Sequence, residues 1–435
     1  MKVSLLFFSP MMLITLICSL LMNTVSIDAT EVDTLSQEPS RIGAQLSVLP
    51  GTVISVDRYQ RSWMRKHHNM AIDARLNYRA LPKDSDYYAE DYHYPTLSVG
   101  MIYHLNHGVT MHKDPQEFPR ITQLDHEVQM GNIISIYGAF SRPILRKKRW
   151  EIDYSLMVGT GYSHRKYDKY NNIDNEMIGS RWLIFFGLET SLSYQLTKDF
   201  ALQTGVTFYH HSNGTLSRPN KGCNVVAPHI GVSYRPYQET TTVDKVTHHP
   251  FKPYIYGNIS PGIGLRTLFE DWVYTQFNVP HDDPQYLTSH FKTYVTYSLQ
   301  ADVMCRYARR WASGLGFDVF YGNYCKRAEE VNKVYGHEEK LSPWSLGLSV
   351  KHEVFYHRLS LAISAGYYLY RNMGHWATKQ EKSYYERIGI NYAIPHLGGI
   401  KIGAHIKAHL TKADLTELVI SVPIVRDRRL LSSNW

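Results

Sequence analysis

A histidine and a serine two residues apart, with a hydrogen-bonding side chain twelve residues further on, form the minimum set for an activated serine nucleophile. This chain carries that set at His210-His211-Ser212-Asn213-Gly214, followed by Pro219-Asn220-Lys221-Gly222-Cys223-Asn224. A serine hydroxyl attacks an ester only when a base takes its proton, and an imidazole is the side chain suited to do so near neutral pH. A third group must hold the imidazole in the tautomer that leaves its other nitrogen free, and Asn224 is placed for that role. The oxyanion formed on attack needs donors, for which the candidates are the Asn220 side chain and the backbone around Asn213-Gly214.

The elements around these residues decide which way they point. From Leu202 one row reads Leu202, Thr204, Val206, Phe208, His210, Ser212, and the other reads Gln203, Gly205, Thr207, Tyr209, His211, Asn213. Side chains alternate across a strand, so His210 and Ser212 share the apolar face while His211 shares the polar one. The next segment puts Asn224 on the face of Val226, Pro228, Ile230 and Val232. A hairpin symmetric about Ser217 sets Asn224 opposite His210, where facing Cβ atoms lie about 4.5–5.5 Å apart.

The same alternation recurs along the chain. Trp150, Ile152, Tyr154, Leu156 and Val158 oppose Glu151, Asp153, Ser155 and Gly159, and from Trp182 an apolar row opposes Glu189. Segments from Phe291 and from Ile400 repeat the theme. Long alternating strands, rich in aromatics and polar on one face, predict an all-β chain: an antiparallel transmembrane β-barrel of the outer membrane. Seven or eight strands are expected before Thr240 and about eight after Lys252, so 14–16 strands in one barrel. A barrel that wide has room for a channel. The stretch around 241–251, near His248-His249-Pro250, reads as a loop or linker, with two small barrels as the less favoured arrangement. Residues 57–92 read mainly as loop.

Met1-Lys2 and the apolar run from Val3 to Leu21 have the shape of a secretory signal peptide ending near Ser26. Its removal leaves 46 basic against 39 acidic residues, a net charge of +7, which suits an anionic phosphorylated lipid surface. Cys223, Cys305 and Cys325 then remain, an odd number without metal-ligand spacing. The resulting domain plan is a leader at 1–26, a barrel part with the hydrolytic residues at 27–240, and further barrel strands at 252–435.

His-x-Ser-Asn followed by Pro-Asn-x-Gly resembles the PagL-type lipid A 3-O-deacylases, also grouped as acyloxyacyl hydrolases. The resemblance implies a Gram-negative outer-membrane barrel that hydrolyses an acyl ester of lipid A (lipopolysaccharide) without a metal or other cofactor. It makes His210 the base, Ser212 the nucleophile and Asn220 the asparagine of the second element. Asn224 stands where the best-known members have glutamate. Tyr92-His93-Tyr94-Pro95 and Ile178-Gly179-Ser180 are similar to longer members of the family. The resemblance covers at most the first 240 residues and leaves 250–435 without a family reading.

The Ser-His-Asn combination also resembles outer-membrane phospholipase A, which implies phospholipid substrates and calcium, but Pro-Asn-x-Gly is foreign to that enzyme. A non-catalytic porin-like barrel is the third reading, with Asn-Gly and Ser-Arg-Pro-Asn as turn residues. Gly159-Thr160-Gly161 lacks the following helix of a phosphate loop. His405 and His409 share a face but lie roughly 13 Å apart along a strand, too far to share a metal. His67-His68 and His248-His249 lack identifiable partner ligands. Basic residues are scattered, which argues against nucleic acid.

Overall fold

The computed structural model describes residues 39–118, 124–236, 250–410 and 412–426. The predicted leader and most of the 241–251 linker, His248-His249 included, lie outside the described residues. The first half begins with β1 (Ile42–Val53), β2 (Met64–Arg79), β3 (Thr96–Leu105), β4 (Val109–Met111) and β5 (Val128–Gln129). It continues with β6 (Ile133–Lys147), β7 (Trp150–Ser163), β8 (Trp182–Gln195), β9 (Phe200–Ser212) and β10 (Cys223–Tyr234). All pairings are antiparallel, in the spatial order β1-β10-β9-β8-β7-β6-β3-β2, and β1 also pairs with β2. Eight strands therefore close on themselves, and β4 and β5 extend the tip of β2.

The second half forms another closed barrel of β11 (Tyr254–Thr267), β12 (Thr293–Arg306), β13 (Trp311–Gly322), β14 (Trp344–Tyr356), β15 (Leu359–Arg371), β16 (Tyr384–Ala393), β17 (Lys401–His409) and β18 (Lys412–Ile424). The barrel strands number sixteen, within the expected 14–16, but they form two barrels of eight rather than one barrel. Alternation specifies which face each residue takes; it does not specify which strand closes on which. Closure rests on backbone pairing of distant segments, Ala44 with Tyr234 and Gly257 with Ile424. The prediction of loop over 57–92 also fails in part, because β2 runs through it.

Burial follows the two-residue period. Leu188, Val206, Ile230 and Val232 are exposed on the outside of the first barrel, and Leu315, Val350, Leu418 and Ile420 on the outside of the second. Trp150 meets Tyr194 at one rim and Tyr162 meets Trp182 at the other, the aromatic girdle of a membrane barrel. No helix among the described residues is long and apolar enough to cross a membrane.

The lumens are filled. In the first, Arg75 forks onto Glu189 at 2.8 and 2.6 Å and reaches Asp73 at 2.6 Å, while Tyr137 donates to Asp73 at 2.5 Å. In the second, Lys351 lies between Asp302 at 2.5 Å and Asp318 at 3.2 Å, and Arg387 pairs with Glu417 at 2.8 Å. An eight-stranded barrel has an interior just wide enough for side chains. The wide lumen anticipated for a channel in a single large barrel is therefore not formed.

The barrels lie side by side and are tied at both ends. At one end Tyr92 donates to the Phe355 carbonyl at 2.9 Å, and Arg306 to the Tyr88 hydroxyl at 2.8 Å. At the other end Tyr167 donates to the Leu287 carbonyl at 3.1 Å and rests edge-on against Trp272.

Candidate active site

His210 and Ser212 close the outward row of β9, after the exposed Leu202 and Val206. His211 points the other way, buried in the lumen with its Nε2 2.9 Å from Ser135 Oγ. On β10, Asn224 is the register partner of His210, as the hairpin symmetry predicts. His210 Nδ1 donates to Asn224 Oδ1 at 2.8 Å. With the proton on Nδ1, Nε2 is the ring atom left to accept one. Ser212 follows two residues along the same row and is buried, 8% exposed.

The connection from β9 to β10, residues 213–222, completes the site. Asn220 Oδ1 accepts the backbone N–H of Asn213 at 3.0 Å. Asn220 thus shapes the turn after Ser212, and the Asn213 N–H expected to face an oxyanion is already engaged. The Asn213 side chain is only 2% exposed, and neither its Nδ2 nor its Oδ1 has a hydrogen-bond partner. A buried amide left unpaired costs about 1–3 kcal/mol, and a substrate oxyanion is one way to recover it. Nδ2 of Asn213 and the N–H of Gly214 are the donors closest in sequence to Ser212.

Glycine is required at two places in this loop. Gly214 has φ +58° and Gly222 φ +74°, both in the left-handed region. A Cβ on Gly222 would lie 2.7 Å from His210 Cε1. Gly222→Ala should therefore displace the imidazole. A misplacement of about 1 Å can cost about 10²-fold in rate, so kcat falls by roughly that factor in a barrel that still folds. Comparing turnover with heat-modifiable gel mobility checks this; unchanged kcat in the folded variant refutes the placement of the base.

Neighbouring loops brace the connection. Gly222 N–H donates to the Met177 carbonyl and Lys221 N–H to that of Glu176, both at 3.1 Å. Ser217 Oγ donates to Gly179 O at 3.1 Å, and Gly179 leaves no room for a side chain beneath Pro219. This gives the Ile178-Gly179-Ser180 stretch a structural role. Lys221 pairs with Asp57 at 2.7 Å and covers the Tyr59 ring. Glu176 accepts from Tyr59 at 2.6 Å and from Lys113 at 2.7 Å. Burial opposes ionisation of Asp57, but its hydrogen bonds from Lys221 and from the Gln60 backbone leave its pKa below the usual carboxylate value. Asp57, Tyr59, Lys113 and Glu176 escape a reading of local spacing because they come from three separate loops. Tyr92-His93-Tyr94-Pro95 lies at the opposite end of the barrel, against the second barrel.

The second barrel reaches the same loop. Thr416 Oγ1 donates to Gly214 O at 2.6 Å, and Thr267 donates to Thr215 O through its N–H at 2.8 Å and its hydroxyl at 2.7 Å. Arg218 donates to Thr267 O at 3.0 Å. Burial, with Arg266 nearby, lowers the Arg218 pKa to about 10. None of these threonines or Arg218 stood out in the sequence.

A possible metal position elsewhere is already neutralised. Glu381, His409 and Asp414 have ligand atoms within 4.8 Å of one another. Their carboxylates pair with Arg266, Arg371 and Lys407. His405 and His409 are both lumen-facing and separately bonded, to Asn391 and Tyr368. Cys223, Cys305 and Cys325 are free thiols.

Residues 84–233 match the family model described as lipid A 3-O-deacylase (PagL). Residues 258–424 match the one described as acyloxyacyl hydrolase, C-terminal domain. The second match supplies a family for the half that the motif resemblance leaves without one. No curated protein matches. Among solved structures, the Pseudomonas putida toluene transporter TodX is 10% identical over 89% of each chain, with a TM-score of 0.18. The Acinetobacter baumannii outer membrane protein Omp33 is 9% identical over 89% of this chain and 98% of its own, with a TM-score of 0.14. Superpositions this loose carry no argument.

Proposed function

The chain belongs to the PagL family of lipid A 3-O-deacylases, ester hydrolases of the Gram-negative outer membrane, and on that premise we propose that Ser212, His210 and Asn224 perform the hydrolysis. The observation that carries this reading is the 2.8 Å bond from His210 Nδ1 to Asn224 Oδ1 on the outward face that also holds Ser212.

Long connections leave the barrel at the Ser212 end, while β6–β7 and β8–β9 turn tightly at the other. Bacterial barrels keep short turns in the periplasm and long loops outside. The site then opens at the outer-leaflet level, where the acyl chains of lipopolysaccharide lie. His210 Nε2 removes the Ser212 proton as Oγ attacks the ester carbonyl. The oxyanion is met by Gly214 N–H and Asn213 Nδ2, and collapse releases the hydroxyl of the sugar or of the hydroxyacyl chain, protonated by His210. Water, deprotonated by His210, then hydrolyses the acyl-serine to release a fatty acid. No step draws on a metal.

Mass spectrometry of lipid A from cells expressing wild type or Ser212→Ala tests this: one acyl chain is lost with wild type only. Fatty acid release from phospholipid with intact lipid A would assign the site to the phospholipase reaction instead.

Asn224 orients the base but cannot offset its positive charge. Asn224→Ala should lower kcat by about 10- to 100-fold, the worth of a hydrogen bond to a group that becomes charged. Asn224→Glu should match or exceed the wild-type rate. If the glutamate variant is dead although folded, Asn224 does not serve His210.

A further inference from the structure

We propose that the C-terminal barrel is a working part of the hydrolytic site: through Thr416 and Thr267 it fixes the strained Gly214–Thr215 turn beside the nucleophile. This rests on the assignment of Ser212 as nucleophile and of the 213–214 segment as oxyanion donor.

The turn needs an external restraint. Thr215 has φ +72° and is fully buried. A β-branched residue there is a true outlier, and such conformations persist only when the surroundings over-determine them. The first barrel holds the flanks of the loop, through Asn220 on Asn213 and through Met177 and Glu176 on Gly222 and Lys221.

The second barrel holds the strained residues themselves. The Gly214 carbonyl takes the Thr416 hydroxyl, and the Thr215 carbonyl takes two donors from Thr267. The Thr215 hydroxyl in turn donates to the Asp414 carbonyl at 3.3 Å. Both anchoring threonines lie at the rim ends of outward rows, those of Ile263 and Leu265 on β11 and of Leu418 and Ile420 on β18. Those apolar neighbours are exposed, as a lipid-facing row should be, whereas Thr267 is fully buried by the loop. A polar residue there is explained by the carbonyl it meets.

The Gly214 N–H lies in the 213–214 peptide plane, whose orientation is coupled to the 214–215 plane through the backbone dihedrals of Gly214. Releasing the Gly214 and Thr215 carbonyls lets Thr215 relax to negative φ, which turns the 214–215 plane and, through Gly214, disturbs the 213–214 plane that carries the donor. Thr416 and Thr267 are therefore positioning residues: they touch no substrate, and their loss should lower kcat while leaving KM in place.

The test measures deacylation of lipopolysaccharide in detergent micelles by the full-length chain. Thr416→Val keeps the shape and removes the donor. Expected are a kcat reduced about tenfold with KM within twofold, and a further fall on adding Thr267→Val, in line with the net worth of one hydrogen bond each. Thr416→Ser, which keeps the donor, should retain at least half of the wild-type kcat. The proposal is overturned if Thr416→Val is as active as wild type while folded, if the serine and valine variants fall equally, or if only KM changes. Ser212→Ala in the same assay separates the premises: if it retains wild-type activity, the nucleophile assignment fails.

Discussion

Ser212→Ala and His210→Ala should each remove nearly all ester hydrolysis from a barrel that folds as well as wild type. General-base assistance is worth about 10²–10⁴-fold, and removal of the nucleophile takes away the acyl-enzyme route altogether. Members of such a unit are not additive, so the double variant should be no slower than Ser212→Ala alone. The residual rate reports what the loop donors provide without a nucleophile. His210→Ala should also lose the acid limb of the pH–rate profile, because that limb reports protonation of the base. Single-turnover rates on defined lipid A, with heat-modifiable mobility as the folding control, decide this. If the two losses multiply in the double variant, the residues act independently and the proton path from Ser212 to His210 is wrong. A His210 variant with an unchanged pH profile excludes it as the base.

The placement of these residues on one face is legible in the sequence for a geometric reason. Side chains alternate with a period of two in any strand, so the shared face of His210, Ser212 and Asn224 follows from counting once the strands are recognised. The hairpin register follows from the length of its loop. Membrane barrels sharpen the signal further, because lipid outside and polar filling inside leave few ambiguous positions. Glu189 and His211 fell inward by the same count.

What could not be read lies between segments far apart in sequence. The split into two barrels depends on β1 pairing with β10 rather than with a strand of the second half, and backbone hydrogen bonds carry no side-chain code for that choice. The contacts of Thr416 and Thr267 with the β9–β10 loop link positions about 200 and about 50 residues apart. No local spacing announces them. The bond by which Asn220 Oδ1 takes the Asn213 N–H forms within an irregular connection, so the part Asn220 plays in shaping the turn is not read from its motif.

The largest expected effect on stability lies in the lumen of the first barrel. Among the described residues Arg75 is the one cation bonded to both Asp73 and Glu189, and all three are at most 3% exposed at the side chain. Arg75→Leu fills much of the same space but leaves two buried carboxylates without their partner. Breaking a buried pair in this way costs about 3–5 kcal/mol, whereas replacing all its members by neutral groups is often close to neutral. Arg75→Leu should therefore lower the urea midpoint for loss of the compact, heat-modifiable form, and Arg75→Leu with Asp73→Asn and Glu189→Gln should recover most of it. Because the network faces inward and His210 lies on the outward row, the folded fraction of each variant should keep its specific activity. A single variant as stable as wild type would mean that the carboxylates are served by water or by Tyr137 and Thr207 alone. A triple variant no better than the single one would show that Arg75 acts by packing rather than by charge.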